Sequence, residues 1–433
     1  MKKNKFIKST LILVVGGLFT KILGMIIRIY QTRILGTYGI GIYSLIIPTF
    51  MLLNTIAQFG LPTSLNILVA KNNISSKKLV SSAIIISLLI DSIIFIFLII
   101  FGKNIAINLL KEHRATLGII SIAFILPFIS ISNMLRSYFF GRQRMYPHVI
   151  TNVLEDIVRL VLIIILLPYF LKLGINYAVA FIILTNIASE LTSIIIFIFL
   201  LPNFKISKKE LKPDKKTLKA LLSISIPTTG SRLIGSIGYF LEPIILTFVL
   251  LKVGYNNKYI VNEYGIVNGY VMPLILLPSF FTQALSNALI PIVSNNYEKH
   301  NYHFIKRKIK QAIFYSLLIG IPATIMFLSL PEIPLKYIYN TNLGINYIKF
   351  LAPICLLHYI QSPISSSLQA MGKAKISLKG TLYGVIIRTI LLFTLSYLKI
   401  GIWGLILATS TSIIFVTLYD LYNVNNELNK KID

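Results

Sequence analysis

The stretch Gly230-Ser231-Arg232-Leu233-Ile234-Gly235 decides the fold, because a similar stretch, Thr20-Lys21-Ile22-Leu23-Gly24, occurs near the N-terminus. Each time, a small polar residue, a cation, two aliphatic residues and a glycine lie inside a long apolar segment. A cation within an apolar span is costly and usually faces a polar interior rather than lipid. Two such cations at corresponding positions of two halves predict a shared basic site at the interface of an internal repeat.

The composition is that of a membrane protein. The chain has 433 residues, of which 55% are hydrophobic and 13% charged, and its mean hydropathy is +0.79. The apolar residues come in long blocks, which excludes an ordinary soluble globule and makes the lipid bilayer the expected surroundings. The formal net charge of +28 is scattered among short loops rather than clustered on one domain. We therefore predict no nucleic-acid partner.

Twelve apolar stretches are long enough to cross about 30 Å of hydrocarbon as helices. With a cytoplasmic N-terminus, 27 of the 42 Lys and Arg residues lie in cytoplasmic segments, nine in opposite loops and six within spans. Because cytoplasmic loops are rich in Lys and Arg, this count predicts a multi-pass protein of the cytoplasmic membrane with both termini inside. The predicted spans are 8–32, 40–60, 79–101, 116–138, 149–171, 177–201, 218–251, 264–292, 311–330, 346–370, 377–398 and 402–423.

The longest polar interruption, residues 202–216, is predicted to be a cytoplasmic linker between an N-terminal lobe, 1–201, and a C-terminal lobe, 217–433. The lobes resemble each other, since Tyr38-Gly39-Ile40 opens the second span and Tyr264-Gly265-Ile266 opens the eighth. The same order of landmarks in both halves indicates a parallel repeat. We therefore predict an all-α integral membrane fold of twelve transmembrane helices in two pseudo-symmetric six-helix lobes.

Four motifs, spread from the first predicted helix to the tenth, carry a family resemblance. They are Gly17-Leu18-Phe19-Thr20-Lys21-Ile22-Leu23-Gly24, Thr32-Arg33-Ile34-Leu35-Gly36-Thr37-Tyr38-Gly39-Ile40-Gly41-Ile42-Tyr43, Leu285-Ser286-Asn287-Ala288-Leu289-Ile290-Pro291 and Leu368-Gln369-Ala370-Met371-Gly372-Lys373. In order and spacing the chain resembles the polysaccharide transport and stage V sporulation protein B-like family of the multidrug, oligosaccharidyl-lipid and polysaccharide flippase superfamily. The resemblance covers nearly the whole chain.

This resemblance implies a central cavity between the two lobes that opens alternately to either side of the membrane. It implies a flippase whose cargo is an undecaprenyl-linked oligosaccharide or a peptidoglycan precursor, with cell-wall synthases as candidate partners and no cofactor. The related lipid II flippases place an arginine where Lys21 stands and an Arg-Asp pair where this chain has Ile27-Arg28. Their further cavity arginines fall on apolar positions here, near Leu52 and Pro273, so the resemblance does not imply lipid II specifically as the cargo.

Lys21, Arg28 and Arg232 are the candidate substrate-binding residues. Lys21 and Arg28 are seven residues apart, which places them on nearly the same helix face about 10 Å apart. Arg28 has a second interpretation, in which its side chain reaches the outer membrane interface. We expect the first and seventh spans to face each other across a solvent-accessible cavity, with Lys21 and Arg232 contributing to one site.

Seven further charged residues lie in or near the apolar spans as candidate coupling or structural charges. Glu155 and Arg159 are spaced i, i+4 and are predicted to pair. The isolated acids are interpreted either as proton or cation sites or as partners of cations on other helices. The seven residues are Asp91, Glu155, Asp156, Arg159, Glu190, Glu242 and Arg388.

No catalytic or metal site is predicted. The five histidines are not grouped with acids or with the single cysteine, and no nucleophile motif or phosphate-binding glycine loop is present in the sequence. Two alternatives stay open. A multidrug or cation antiporter of the same superfamily would favour acids over cations in its cavity. A membrane glycosyltransferase or polymerase would normally carry a larger extramembrane loop with clustered acids or histidines.

Overall fold

The computed structural model describes residues 2–201 and 214–432, and their side chains from Gly16 onward except those of Lys430 and Ile432. Within these ranges the chain is helical, with turns and no strand. The helices are α1 Lys2–Gln58, α2 Leu61–Lys71, α3 Ser76–Asn104, α4 Thr116–Gly141, α5 Tyr146–Leu173, α6 Ile175–Leu200, α7 Lys215–Val253, α8 Asn257–Gly265, α9 Ser279–Glu298, α10 Tyr302–Ser329, α11 Ile345–Ala370, α12 Ala374–Ser396 and α13 Trp403–Ile432.

Gly36 breaks the first helix. At 57 residues, α1 would be about 85 Å long if straight, far more than one crossing of the bilayer needs. Gly36 has φ 65° and ψ −175°, a conformation that is essentially restricted to glycine. The break lies between the predicted spans 8–32 and 40–60, so α1 contains both of them.

Eight helices of the described ranges are long and apolar enough to cross a membrane, or nine if one bent pair counts as a single span. The bent pair replaces the single span predicted at 264–292, because the chain bends by 54° between Ile275 and Ser279. One qualifying stretch, Gly16–Lys71, is 56 residues long and holds two predicted spans. The predicted spans 149–171 on α5 and 346–370 on α11 are not among the helices that are long and apolar enough to cross a membrane. The count of twelve stays a prediction.

The chain divides into two compact units, Met1–Phe240 and Leu241–Asp433. The division falls inside α7, and the lobe boundaries predicted around residues 202–216 stay a prediction. In the first unit α6 packs against α4 and α5, and α4 packs against α2 and α3. In the second unit α13 packs against α11 and α12, and α11 packs against α9 and α10. The same packing order in both units agrees with an internal repeat.

A short π-helical segment occurs at the corresponding place in each unit. Ile105–Leu109 follows α3, and Leu335–Tyr339 follows the short helical turn after α10. Each segment is followed within two residues by a residue with positive φ, Lys111 in one unit and Asn340 in the other. The repeat therefore extends to a local irregularity of the backbone that the sequence analysis did not predict.

Each unit has an apolar core cluster built from equivalent helices. In the first unit Leu65 of α2, Leu79 of α3, Phe139 of α4 and Phe197 of α6 pack together with Leu221 of α7. Phe139 and Phe197 stack with their ring centroids 5.4 Å apart. In the second unit the cluster joins α9, α10, α11 and α13.

Of the predicted linker 202–216, residues 202–213 lie outside the described ranges. Asp214 caps the start of α7, because its Oδ1 accepts a hydrogen bond from the Thr217 N–H at 2.9 Å. Its Oδ2 lies 2.8 Å from the Lys78 Nζ. The hydrogen bonds from Lys78 and Thr217 hold the pKa of Asp214 well below its usual range. The ionised cap therefore stabilises the folded state at pH values above the ordinary carboxyl pKa. This stabilisation weakens as the pH falls toward the pKa that Asp214 has in the folded protein.

The substitution Gly36→Ala should destabilise the protein by about 1–3 kcal/mol, because alanine is strained at this φ and ψ. A Cβ at Gly36 would meet no atom within 4 Å, so the effect reports the backbone conformation rather than a clash. Gly17 is the matched control, since it is helical and equally open. Gly17→Ala should be neutral or stabilise by up to about 1 kcal/mol. Thermal unfolding of both variants in detergent measures the difference, and equal shifts would contradict the break at Gly36.

Candidate functional site

Arg232 lies on α7 at its contact with α2 and is exposed. Its Nη2 donates a hydrogen bond to the Thr63 Oγ1 at 3.4 Å. One turn further along α7, the Ser236 Oγ lies 2.9 Å from the Thr55 Oγ1 of α1. The cation is thus accompanied by hydroxyl groups that can donate hydrogen bonds to an anion.

The first part of α7 approaches α2 closely, and glycine permits it. A Cβ on Gly60 would lie 2.6 Å from the carbonyl oxygen of Ser225. The Ser64 Oγ donates to the Leu221 carbonyl at 2.9 Å. Ser225 and Thr229 are buried in this contact. Short hydroxyl side chains, together with the apolar Leu221, therefore join α7 to the end of α1 and to α2.

The other two predicted binding residues lie on α1 in the same compact unit. Lys21 is exposed, and Arg28 is half-buried. The Arg28 guanidinium lies over the Tyr43 ring, 5.3 Å from its centroid, a distance typical of a cation–π contact. Lys21, Arg28 and Arg232 thus all belong to the unit Met1–Phe240, and two of them present exposed charges.

The acids and arginines of α4, α5 and α6 form a second group of charges. Glu155 of α5 is buried, and its Oε1 lies 2.9 Å from the Arg159 Nη2. Its Oε2 lies 3.2 Å from the Arg136 Nη2 of α4 and accepts a hydrogen bond from the Ser193 Oγ of α6 at 3.0 Å. One carboxylate thus joins three helices.

Asp156 and Glu190 complete this group. The Asp156 Oδ1 lies 3.6 Å from the Arg159 Nη1. Glu190 of α6 is 8% exposed, and its Oε2 has no hydrogen-bond partner within the described ranges. We refer to Arg136, Glu155, Asp156, Arg159 and Glu190 as the five-charge cluster.

Arg136 lies inside the predicted span 116–138. It is half-buried on α4, which continues to Gly141. Its position nineteen residues before Glu155 in the chain gives no local pattern such as i, i+4, so the sequence alone did not indicate the pair. The sequence did carry one indication that α4 continues past Arg136, because no helix-breaking residue lies between Pro127 and Gly141.

In the second unit, Glu242 of α7 forms an ion pair with Arg388 of α12. The Tyr264 hydroxyl donates to the Glu242 Oε1 at 3.0 Å. The pair borders a cavity of about 30 Å³ that Asn268 and Thr409 also line, enough space for one water molecule. Arg232, ten residues before Glu242 on the same helix, is not its partner in this pair.

Asp91 lies on α3 and is 1% exposed. Neither of its carboxylate oxygens has a hydrogen-bond partner among the side chains that the structure describes. Those side chains also contain no group of three His, Cys, Asp or Glu residues that could hold a metal ion. The single cysteine, Cys355, is buried in α11.

The sequence is similar to those of known membrane-protein families and of named relatives. A family profile described as "Polysaccharide biosynthesis protein" matches residues 6–297, and one described as "MatE" matches residues 236–394. The chain is 34% identical to "Stage V sporulation protein B" of Bacillus subtilis (strain 168), over 99% of this chain and 85% of that protein. It is 22% identical to "Lipid II flippase MurJ" of the same organism, over 96% of this chain and 82% of that protein.

The fold is similar to that of a solved structure described as "Inward-facing conformation of a multidrug resistance MATE family transporter of the MOP superfamily". The TM-score is 0.78, with 15% sequence identity over 95% of both chains. At this identity the similarity concerns the fold alone. The chain therefore has a MATE-like transporter fold.

The variant Arg388→Met should destabilise the protein by about 3–5 kcal/mol, because it leaves the buried Glu242 carboxylate without its cation. The double variant Glu242→Gln with Arg388→Met should regain most of this loss, since no unpaired charge remains. Lys349→Met, which changes an exposed cation of the same unit, should have little effect. Thermal unfolding in detergent measures all three variants. A double variant as unstable as Arg388→Met would show that the pair does not set the stability.

Proposed function

The chain belongs to the polysaccharide biosynthesis protein family of the MOP superfamily, and on that basis we propose that it flips a lipid-linked sugar across the cytoplasmic membrane. The observation that carries this proposal is the position of Arg232. Its exposed guanidinium on α7 donates a hydrogen bond to the Thr63 Oγ1, and the paired hydroxyls of Thr55 and Ser236 lie one helical turn away. Lys21 adds a second exposed cation on α1.

The chemistry of such a cargo suits these residues. A diphosphate-sugar head group cannot cross hydrocarbon unaided, because moving its charges out of water is very costly. Fixed cations offset that charge, and a guanidinium can donate two hydrogen bonds to one phosphate group. The hydroxyls near Arg232 can accept or donate hydrogen bonds to the sugar or phosphate. The polyprenyl tail needs no polar site, since it can stay in lipid.

The cargo that we propose is an undecaprenyl-linked oligosaccharide or peptidoglycan precursor, moved by alternating access. Two relatives support this class, one by its name as a sporulation protein and one by its name as a lipid II flippase. We place both termini in the cytoplasm, as the distribution of Lys and Arg predicts, and cell-wall synthases are the candidate partners. The proposal assigns no catalytic residue and no cofactor to the chain.

A multidrug or cation antiporter is the second candidate, favoured by the match of the MatE profile to residues 236–394. Such an antiporter would use exposed acids to bind cationic compounds. In the described ranges the acids that lie deep in the helices are instead buried, as Asp91, Glu155, Glu190 and Glu242 are. The exposed charges that the structure describes on α1 and on the part of α7 in the first unit, Lys21 and Arg232 among them, are all positive. This distribution favours an anionic head group over a cationic drug.

Arg232→Ala should reduce translocation of a lipid-linked sugar roughly 10- to 100-fold, because a hydrogen bond to a charged group contributes about 1.5–3 kcal/mol. Arg232→Lys should recover part of the activity, since it keeps the charge but loses the planar fork. Lys21→Ala should act in the same direction. Fluorescent lipid-linked sugar in proteoliposomes provides the measurement, with membrane abundance determined in parallel.

Lys103→Ala is the matched control, because Lys103 is an exposed cation at the end of α3 and should keep wild-type transport and abundance. Normal transport by Arg232→Ala would refute the basic-site proposal. If substitutions of Glu155 or Glu242 abolished efflux of a cationic drug while Arg232→Ala did not affect it, the antiporter would become the better assignment.

A further inference from the structure

The five-charge cluster contains one more acid than it has bases. Its three carboxyl groups are those of Glu155, Asp156 and Glu190, and its two guanidinium groups are those of Arg136 and Arg159. Both guanidinium groups contact Glu155, and that of Arg159 also contacts Asp156. With every group ionised the cluster carries one net negative charge. The ion pairs leave Glu190 as the carboxyl group without its own cation.

Among the three carboxyl groups of the cluster, Glu190 is the one with a buried oxygen that lacks a hydrogen bond. It is 8% exposed, and its Oε2 finds no partner among the described residues. An ionised carboxylate oxygen without a hydrogen bond is strongly disfavoured in a buried site. Binding one proton to this carboxyl forms an O–H group, removes its charge and brings the cluster to neutrality.

The groups that face Glu190 come from α4 and α5. Ser132 and Arg136 on α4, and Glu155 and Arg159 on α5, interact with its carboxyl group. Asp156 reaches the cluster through Arg159, and His148 at the start of α5 interacts with Arg136. The two positive groups lower the cost of ionising Glu190, and the Glu155 carboxylate raises it. These opposing influences allow both protonation states to be reached.

The other elements that pack against α6 lie away from Glu190. Gly39 of α1 meets α6 at Ile175, about 22 Å along the helix from Glu190. In the turn His113–Ala115, the His113 side chain is 74% exposed, and the Arg114 guanidinium lies over the Tyr38 ring. Leu221 of α7 shares the apolar cluster of Phe197. None of these contacts brings a further charge to Glu190.

A proton fits this site better than a metal cation. A metal cation needs several oxygen ligands, whereas the neighbouring carboxylates of Glu155 and Asp156 are already paired with arginines. A proton needs only one carboxylate oxygen. Arg136 lies five residues before the end of α4 at Gly141, about 8 Å along the helix. The cluster is therefore within a short distance of the aqueous phase that supplies the proton.

We propose that Glu190 is a proton-binding site of this transporter, and that uptake and release of one proton there drive its conformational cycle. The inference rests on the proposed function, because it identifies the energy source for moving the lipid-linked sugar. One proton passes from water to the Glu190 carboxylate in one conformation and returns to water in the other. The Arg136–Glu155–Arg159 pairs stay ionised and hold the carboxyl in place.

The test uses the full chain in proteoliposomes with a fluorescent undecaprenyl diphosphate-linked sugar and a pH gradient of one unit in either direction. If one proton moves with each cargo molecule, the gradient shifts the distribution of cargo between the leaflets by up to about tenfold. The wild type should show this shift and reverse it with the gradient. Glu190→Gln should lose the response, and Glu298→Gln, which changes an exposed acid of the second unit, should retain it.

A second measurement does not depend on the cargo. Infrared spectra of the purified wild type should show the carbonyl band of a protonated carboxylic acid that titrates with pH. The band should be absent from Glu190→Gln and shifted in Glu190→Asp, the conservative variant for the case in which the glutamine variant folds poorly. Failure of the wild type to move the sugar under any gradient, with this band present, would refute the proposed cargo and leave the proton site standing.

Three results would overturn the proton site. The first is a pH response of transport that persists in Glu190→Gln. The second is a titrating carbonyl band that persists in Glu190→Gln and disappears in Asp91→Asn, since this would place the proton on the buried acid of α3. A wild type that moves the sugar without any dependence on the pH gradient would also refute it, while leaving the proposed cargo intact.

Discussion

A charge inside an apolar helical protein must be paired or must reach water, and this constraint organises the polar residues of the structure. Glu155 meets it by contacting two arginines, and Glu242 meets it by pairing with Arg388. The Glu155–Arg136 contact joins the consecutive helices α4 and α5, and the Glu242–Arg388 pair joins α7 to the distant α12. Arg232 meets the constraint differently, because it is exposed beside the hydroxyl of Thr63. The paired charges hold helices together, and the exposed charge is available to a ligand.

The two compact units arrange their helices by one plan but distribute their charges differently. The packing order of α2 to α6 recurs in α9 to α13, and so does the π-helical segment after the second helix of each set. The charges do not recur in this way. In the first unit the buried acid Glu155 joins α4, α5 and α6, whereas in the second unit Glu242 joins α7 to α12. The repeat thus constrains the backbone, and each unit carries its own polar chemistry.

The sequence predicted the helical class, the break between the first two spans and the local pair of Glu155 with Arg159, because these features depend on neighbouring residues. It did not predict the pairs Arg136–Glu155 and Glu242–Arg388, since each joins positions whose proximity is set by tertiary packing. The bend between Ile275 and Ser279 was missed for a related reason: the apolar composition of that stretch is the same in a straight helix and in a broken one. The roles of Lys21 and Arg232 depend on a ligand and stay a proposal.

The glycine break in α1 has a consequence for how the protein is made. Because a single residue joins the two helical parts of α1, no loop separates the first apolar segment from the second. Two apolar segments joined in this way favour insertion as a pair, in which the apolar surface of the second helix offsets part of the cost of the cation at position 21.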